Sequence, residues 1–156
     1  MPVLLDAALK GQAMNLFLAL LSLAAIGLAG FAGFAAYVRL APSDPARWHV
    51  DPADAPDPAT PNFARIARVS PLSPDVLRAR IDAVARDEGA ELLAGDEHHF
   101  TYLVRTRLMR YPDFVSIRLT QTDDGSTRLS ALSRSRFGRS DMGVNAARLD
   151  RWLNGF

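Results

Sequence analysis

The uncharged run Leu16–Val38 constrains this chain more than any other feature, and Ser22 is its only conventional polar side chain. As a helix, such a run is roughly 35 Å long, enough to cross a hydrocarbon core of about 30 Å. A cleaved signal peptide is the alternative, but its apolar core spans about 7 to 15 residues behind a basic start. Residues 1–15 contain both Asp6 and Lys10. We therefore predict a short tail over residues 1–15 and an uncleaved transmembrane helix over residues 16–38.

Small residues recur along this helix at four-residue spacing, at Ala25, Ala29 and Gly33. Residues four apart lie on one helix face, and small side chains there let a neighbouring helix approach closely. The pattern predicts a partner in the membrane, either another membrane protein or a complex. The alternative is that an alanine-rich anchor contains small residues by composition alone.

A proline-rich linker is predicted over residues 39–61. Proline fixes φ and lacks an N–H, so the segment favours neither a helix nor strand pairing. It should run extended, either as a semi-rigid stalk or as a strap laid on a surface. Trp48 stands out in this polar tract, because an indole usually packs against something, here the domain or the membrane interface. The sequence leaves that choice open.

Residues 62–156 have the pattern of a single α+β domain. Ser73 and Pro74 favour a helix start, and Leu77, Ile81 and Ala85 then recur at the spacing of one buried face. Alternating runs separated by turn residues predict an antiparallel sheet. The predicted strands are 90–94, 98–109, 114–122 and 127–135, and a shorter run at 63–69 can add a fifth. We expect an N-terminal transmembrane helix followed by an antiparallel sheet of four or five strands, packed with two helices on one face.

The composition excludes several kinds of chemistry. The chain has no cysteine and a formal net charge of +1, so we expect no disulfide, no cysteine-ligated metal and no nucleic-acid partner. His98 and His99 are neighbours in a predicted strand and point to opposite faces, which disfavours a shared metal. No sequence pattern indicates a cofactor. We predict a protein without catalysis, metal or cofactor; the alternative is a hydrolase that uses His98 or His99.

Arginines are concentrated after residue 97, and several of them fall within predicted strands, including Arg118, Arg134 and Arg136. A sheet face that collects guanidinium groups suits carboxylate or phosphate ligands. The alternative is a solvated outer face that the acidic half of the domain, residues 41–97, neutralises.

A distinctive string runs from Ser133 to Asn145, where the last strand ends and the last helix begins. Read as architecture, Gly138 and Gly143 permit a positive φ. Asp141 then bonds backbone amides, and Asn145 caps the helix. Read as a site, its hydroxyl and guanidinium groups cradle an anion near a helix N-terminus. The candidate anion-binding residues are Ser133, Arg134, Ser135, Arg136, Arg139 and Ser140.

Together with Arg110-Tyr-Pro-Asp113, the string Ser133–Asn145 resembles the family labelled domain of unknown function 1499, and the likeness covers roughly residues 60–154. Several members of that family look similar in combining an N-terminal anchor or export signal with a domain outside the cytoplasm. The resemblance therefore implies an exported C-terminal domain. It implies no particular activity.

The orientation is not decided by charge, because Lys10 and the terminal amine on one side of the anchor are balanced by Arg39 and Arg47 on the other. With the resemblance, we expect a single-pass protein of a bacterial cell inner membrane, its domain periplasmic. Our first hypothesis for its function is a non-catalytic interaction domain, an accessory or assembly component of a membrane protein complex. The alternatives are a binding module for an anionic small molecule or lipid headgroup, and the hydrolase.

Overall fold

The computed structural model describes residues 2–107 and 109–155, with side chains from Leu9 onward. The chain divides into two units, Met1–Leu40 and Ala41–Phe156. The first unit is one helix, α1 (Pro2–Leu40), and its stretch Leu9–Leu40 is long and apolar enough to cross a membrane. The predicted transmembrane segment lies inside this stretch.

The middle of α1 presents apolar side chains to its surroundings. Leu23, Ile26 and Leu28 are 65% to 69% exposed. The hydroxyl of Ser22 donates to the carbonyl of Leu18 at 2.9 Å, so the one polar side chain of the run is satisfied within the helix. A helix that is apolar on its exposed sides and satisfies its own polar groups is suited to lipid.

The second unit is built on a five-stranded antiparallel sheet with the order β1-β5-β4-β3-β2. A single helical turn, α2 (Pro45–Trp48), precedes it. The strands are β1 (Phe63–Ser70), β2 (Glu91–Gly95), β3 (His99–Arg105), β4 (Pro112–Gln121) and β5 (Thr127–Ser135). Strands β2 to β5 form consecutive hairpins, and β1 pairs with β5 along its whole length. The predicted α+β fold is confirmed, with the fifth strand present.

Two helices, α3 (Pro74–Asp87) and α4 (Val144–Leu153), pack on one side of the sheet, which we call the helix face. The predicted apolar stripe of α3 is fully buried there, and Trp152 of α4 is buried completely as well. Burying each such side chain stabilises the fold by roughly 1.5 to 3 kcal/mol. The strand residues that complete this core are Phe100, Tyr102, Val104, Val115, Ile117, Leu119, Leu129 and Ala131.

Strand β3 ends at Arg105, earlier than the sequence predicts. The chain turns instead, because the Thr106 hydroxyl accepts the backbone N–H of Tyr111 at 2.9 Å and the Thr106 carbonyl accepts that of Arg110 at 3.1 Å. Arg110 adopts a φ of 60°, in the left-handed region. Local hydrogen bonds therefore end a strand that side-chain alternation alone would extend.

Gly95 lies in a turn of the sheet that only glycine fits. Its φ is +125°, and a Cβ there would lie 2.2 Å from the carbonyl oxygen of His99. The turn brings the Asp96 carboxylate to the backbone N–H groups of His98 and His99, at 2.8 and 2.7 Å. This close approach aligns β3 beside β2.

Helix α4 begins two residues earlier than the sequence predicts, and the prediction that Asn145 caps it is wrong. Gly143 occupies the N-cap position with a φ of +80°. The carboxylate of Asp141 accepts the backbone N–H groups of Gly143 and Asn145, at 3.2 and 2.9 Å. Asp141 thus satisfies free amides at the start of α4, and the side chain of Asn145 does not act as the cap.

Candidate functional site

The face of the sheet opposite the helices, which we call the strap face, is covered by residues 41–61, the strap. Trp48 is only 7% exposed, and its ring stacks on Phe114 with centroids 4.1 Å apart and 9° between the planes. Leu103 and Leu93 complete this second apolar cluster. Of the two placements that the sequence left open for Trp48, the structure shows the one on the domain.

Arginines from the strands hold the backbone of the strap. Arg134 donates to the carbonyls of Arg47 and Trp48, each at 3.2 Å, and Arg136 donates to that of Pro42 at 2.6 Å. An irregular segment leaves its carbonyls without helix or sheet partners, so buried ones need donors from elsewhere. A guanidinium group supplies several donors in a fixed plane. Burial, followed by the charge of Arg47, lowers the pKa of Arg134.

Two further arginines fix the second half of the strap. Nε of Arg118 donates to Oδ2 of Asp51 at 2.8 Å. Arg65 donates to the carbonyl of Ala55 at 2.7 Å and lies 3.1 Å from the carboxylate of Asp57. The strap therefore passes from β5 across β4 to β3 and returns to β1.

A stacked pair of histidines lies between these arginine contacts, and sequence reasoning missed it. The rings of His49 and His99 have centroids 3.9 Å apart. Nδ1 of His49 lies 2.9 Å from the Thr101 hydroxyl, and Nε2 of His99 donates to the carbonyl of Val50 at 3.0 Å. Burial, followed by the charge of His99, lowers the pKa of His49. The pair is positioned to fasten the strap.

The six residues predicted to cradle an anion do not share one surface. Alternation along β5 places Arg134 on the strap face and Ser133 on the helix face. An anion can reach Arg134 or Arg136 only by competing with the strap carbonyls. Arg139 is exposed in the loop after β5 and forms no hydrogen bond with a described residue.

Ser133 and Asn145 belong instead to a buried polar network that ties β4, β5 and α4 together. Arg148 pairs with Asp113 at 2.7 Å, and both side chains are under 5% exposed. Arg148 also donates to Ser133 Oγ at 3.1 Å and to Asn145 Oδ1 at 2.9 Å. The amide of Asn145 donates to the carbonyl of Asn62 at 2.9 Å. Because these buried groups share hydrogen-bond partners, the network as a whole holds the loop after β5 in place.

Residues that precede β4 and residues that follow β5, among them Thr106, Tyr111 and Gly138, border a pocket of about 160 Å³ beside this network. We call it the loop-end pocket. The rings of Tyr111 and Phe137 form its walls, with centroids 6.0 Å apart. The hydroxyls of Thr106, Ser135 and Ser140 line it as well. Two of the candidate anion-binding residues, Ser135 and Ser140, therefore line the same pocket.

A larger cleft of about 570 Å³ adjoins the loop-end pocket and shares Thr106 and Val144 with it. We call it the arginine cleft, because Arg105, Arg107, Arg148 and Arg151 line it. Arg105 and Arg107 fall within the predicted strand 98–109, but strand alternation has no means to bring them beside α4.

A separate concavity of about 560 Å³ lies at the β2–β3 turn and contains His98. Arg78 and Asp82, which also line it, are already paired at 2.9 Å. No described residues form a cluster of three or more histidine, cysteine or acidic side chains that could hold a metal ion. The loop-end pocket and its adjoining cleft differ from this concavity, because they combine hydroxyl-bearing residues with several arginines.

No curated protein matches the chain. One family model matches residues 38–156. This range includes the strap as well as the segment of roughly residues 60–154 that resembles the family. Because it covers most of the sequence, the chain belongs to the family described as "Protein of unknown function (DUF1499)".

Proposed function

We propose that this chain is a single-pass membrane protein whose domain acts by binding, without catalysis, as an accessory or assembly component of a membrane protein complex. Its domain lies on the periplasmic side of a bacterial inner membrane. The observation that supports this proposal best is the attachment of the strap to the sheet.

The proline-rich strap does not act as a free linker, because it is attached to the sheet. Arg136 holds the carbonyl of Pro42, only two residues after Leu40 ends α1, and Arg134 holds the carbonyls of the next turn. A domain that is fixed this early in the chain reaches only a short distance from its anchor. That restriction suits a subunit that contacts a membrane partner, whereas an enzyme for soluble substrates does not need it.

The test is to lengthen the tether without touching the strap. A ten-residue Gly/Ser insertion between Leu40 and Ala41 adds roughly 17 Å of average reach. The same insertion between Asp124 and Gly125, in the exposed turn between β4 and β5, is the matched control. We expect partners purified in gentle detergent and identified by mass spectrometry to be lost from the first variant and kept by the second. Identical partners in both variants, or a protein that always purifies alone, would contradict the proposal.

The contribution of α1 to partner binding can be tested separately. Ala29→Leu with Gly33→Leu fills the small-residue face, and a Cβ on Gly33 meets no described atom within 4 Å, so the helix itself tolerates the change. We expect loss of a partner that packs against this face. Leu23→Ala, on an exposed part of the same helix, is the control. Unchanged partners in the Ala29 and Gly33 variant would assign binding to the domain alone.

The orientation is testable because the chain has no cysteine. Met142→Cys places a thiol on a side chain that is 95% exposed in the domain. Gln12→Cys places one on α1, four residues before the predicted transmembrane segment 16–38 begins. In intact cells with a permeable outer membrane, a membrane-impermeant maleimide should label only the first variant. Labelling of only the second would reverse the proposed orientation.

A further inference from the structure

We infer that the loop-end pocket and the arginine cleft together bind a small amphiphilic anion, with one apolar ring or short branched chain joined to a phosphate or carboxylate. This inference concerns a ligand site and does not depend on the protein partner proposed above. The proposed site lies outside the strap contacts described above.

The first argument is the hydrogen-bonding state of three hydroxyls in the loop-end pocket. Thr106 and Ser140 accept hydrogen bonds from backbone N–H groups at 2.9 and 3.3 Å, and Ser135 accepts one from the Asn145 side chain at 3.0 Å. For none of the three does a described residue accept the hydroxyl hydrogen. A hydroxyl that has accepted one bond still has its own hydrogen to donate. The pocket therefore offers several O–H donors, which suit a ligand rich in oxygen acceptors.

The second argument concerns the carboxylates that line the same pocket. Asp113 is paired with Arg148 at 2.7 Å, so its charge is compensated. Asp141 accepts the backbone N–H groups of Gly143 and Asn145. Both carboxylates are engaged by the protein itself, which leaves the hydroxyls as the groups presented to a ligand.

The third argument is the charge of the arginine cleft. Arg148 is paired with Asp113, and Arg151 is paired with Glu88 at 2.8 Å. Asp87, an exposed carboxylate without an ion pair among the described residues, also lines the cleft and offsets one positive charge. Arg105 and Arg107 have no hydrogen-bond or ion-pair partner in the part of the chain that the structure describes, and they flank Thr106, which also lines the loop-end pocket. Two unpaired guanidinium groups adjoining a set of hydroxyl donors favour a phosphate or carboxylate.

The fourth argument is the size and lining of the loop-end pocket. Its volume of about 160 Å³ is suited to one ring or a short branched chain rather than to a long acyl tail. The rings of Tyr111 and Phe137 provide apolar walls on which such a group can pack. The apolar part of the ligand therefore packs beside this ring pair, while its charged part faces Arg105 and Arg107.

Phenyl phosphate is the probe that matches this geometry. Its binding to the full chain in a nonionic detergent can be measured by titration calorimetry, with inorganic phosphate as the comparison without a ring. Micelles of the same detergent containing phosphatidic acid form a second arm, because a lipid headgroup carries the same phosphate chemistry. Saturable binding of phenyl phosphate supports the inference and indicates a soluble ligand. Saturable binding of phosphatidic acid alone indicates a lipid headgroup and contradicts the role given to the loop-end pocket.

Three variants locate the bound group. Arg105→Gln with Arg107→Gln should weaken binding about tenfold or more, since charge-assisted bonds are lost. Ser140→Ala, at an exposed loop position, should weaken it about threefold. Arg128→Gln, an exposed arginine elsewhere on β5, is the control and should leave binding unchanged. None of these side chains is buried, so folding is preserved.

Three further results would overturn the inference. One is the absence of saturable binding in both arms of the experiment. Another is binding that the double arginine variant and Ser140→Ala leave as strong as in the parent protein. The third is inorganic phosphate binding as tightly as phenyl phosphate, because the loop-end pocket would then contribute nothing.

Discussion

The two faces of the sheet are closed by different physical means. On the helix face, α3 and α4 satisfy their own backbones and contribute apolar side chains at regular spacing. On the strap face, a proline-rich segment brings a backbone with few internal partners, and four arginines bind it: Arg65, Arg118, Arg134 and Arg136. Arginines within strands are therefore not by themselves evidence of a ligand site. Here they supply the donors that an irregular covering segment lacks.

The two coverings should also differ in cooperativity. The helix face is one continuous core that includes all of the sheet's inner strands, so its loss unfolds the domain. The strap depends on one stacked ring, a few polar contacts and a histidine pair. Segments with few buried apolar contacts open first. We expect the strap to detach while the sheet and helices remain folded.

Trp152→Ala should give the largest effect, because this ring is fully buried in the helix-face core. Truncating a buried tryptophan costs about 3 to 5 kcal/mol. Denaturant unfolding of the full chain in detergent, monitored by circular dichroism, should show a single transition. The free energy of unfolding should be lower than that of the parent protein by this amount. A loss confined to α4, with the sheet unchanged, would show that the helix face is less cooperative than we describe.

Asp113→Ala should be nearly as damaging, because it leaves Arg148 charged and unpaired at a buried position. Breaking a buried ion pair by removing one partner costs about 3 to 5 kcal/mol. Asp113→Leu with Arg148→Met removes both charges and should recover most of the free energy of unfolding. If the double variant is no more stable than Asp113→Ala, the contacts of Arg148 with Ser133 and Asn145 carry the stability instead.

Trp48→Ala should act on the strap alone. Loss of the stacked ring on Phe114 should lower the free energy of strap opening by about 2 to 3 kcal/mol. Hydrogen exchange should then accelerate for residues 45–55 while β3, β4 and β5 keep their protection. Equal acceleration in the strands would mean that the strap is part of the central core.

Acidification should produce the smallest effect, again in the strap. The pKa of His49 is lowered by burial, followed by His99 and Arg118, and it is raised by Asp96 and Asp51. The opened strap therefore binds protons more readily than the closed one. Strap stability should be complete above the ordinary histidine pKa of about 6.5 and should decline as the pH falls below it. Hydrogen exchange of residues 45–51 at pH 7.5 and 5.5 measures this, and His49→Gln should remove most of the difference.

Much of the fold could be predicted from local patterns. Alternation and turn residues located the strands, and the spacing of Leu77, Ile81 and Ala85 identified the buried face of α3. Strand alternation also argues against the predicted anion site, because Ser133 and Arg134 are neighbours on β5 and point to opposite faces of the sheet. A single anion cradle built from both residues was therefore incompatible with the predicted strand.

The strap contacts could not be predicted in the same way. His49 and His99 are fifty positions apart, and no periodicity joins an irregular segment to a strand. Trp48 signalled that something packs there, but an indole suits a membrane interface as well as a sheet. The loop-end pocket depends on where two loops end in space, which side-chain patterns do not encode.

The attachment of the strap has a practical consequence for anyone preparing the domain without its membrane helix. A fragment that starts at residue 62 retains every strand but exposes the ring of Phe114 and the side chain of Leu103 to water, and it leaves four arginines without their carbonyl and carboxylate acceptors. Such a fragment should be prone to aggregation and self-association. Starting it at Ala41 keeps these surfaces covered.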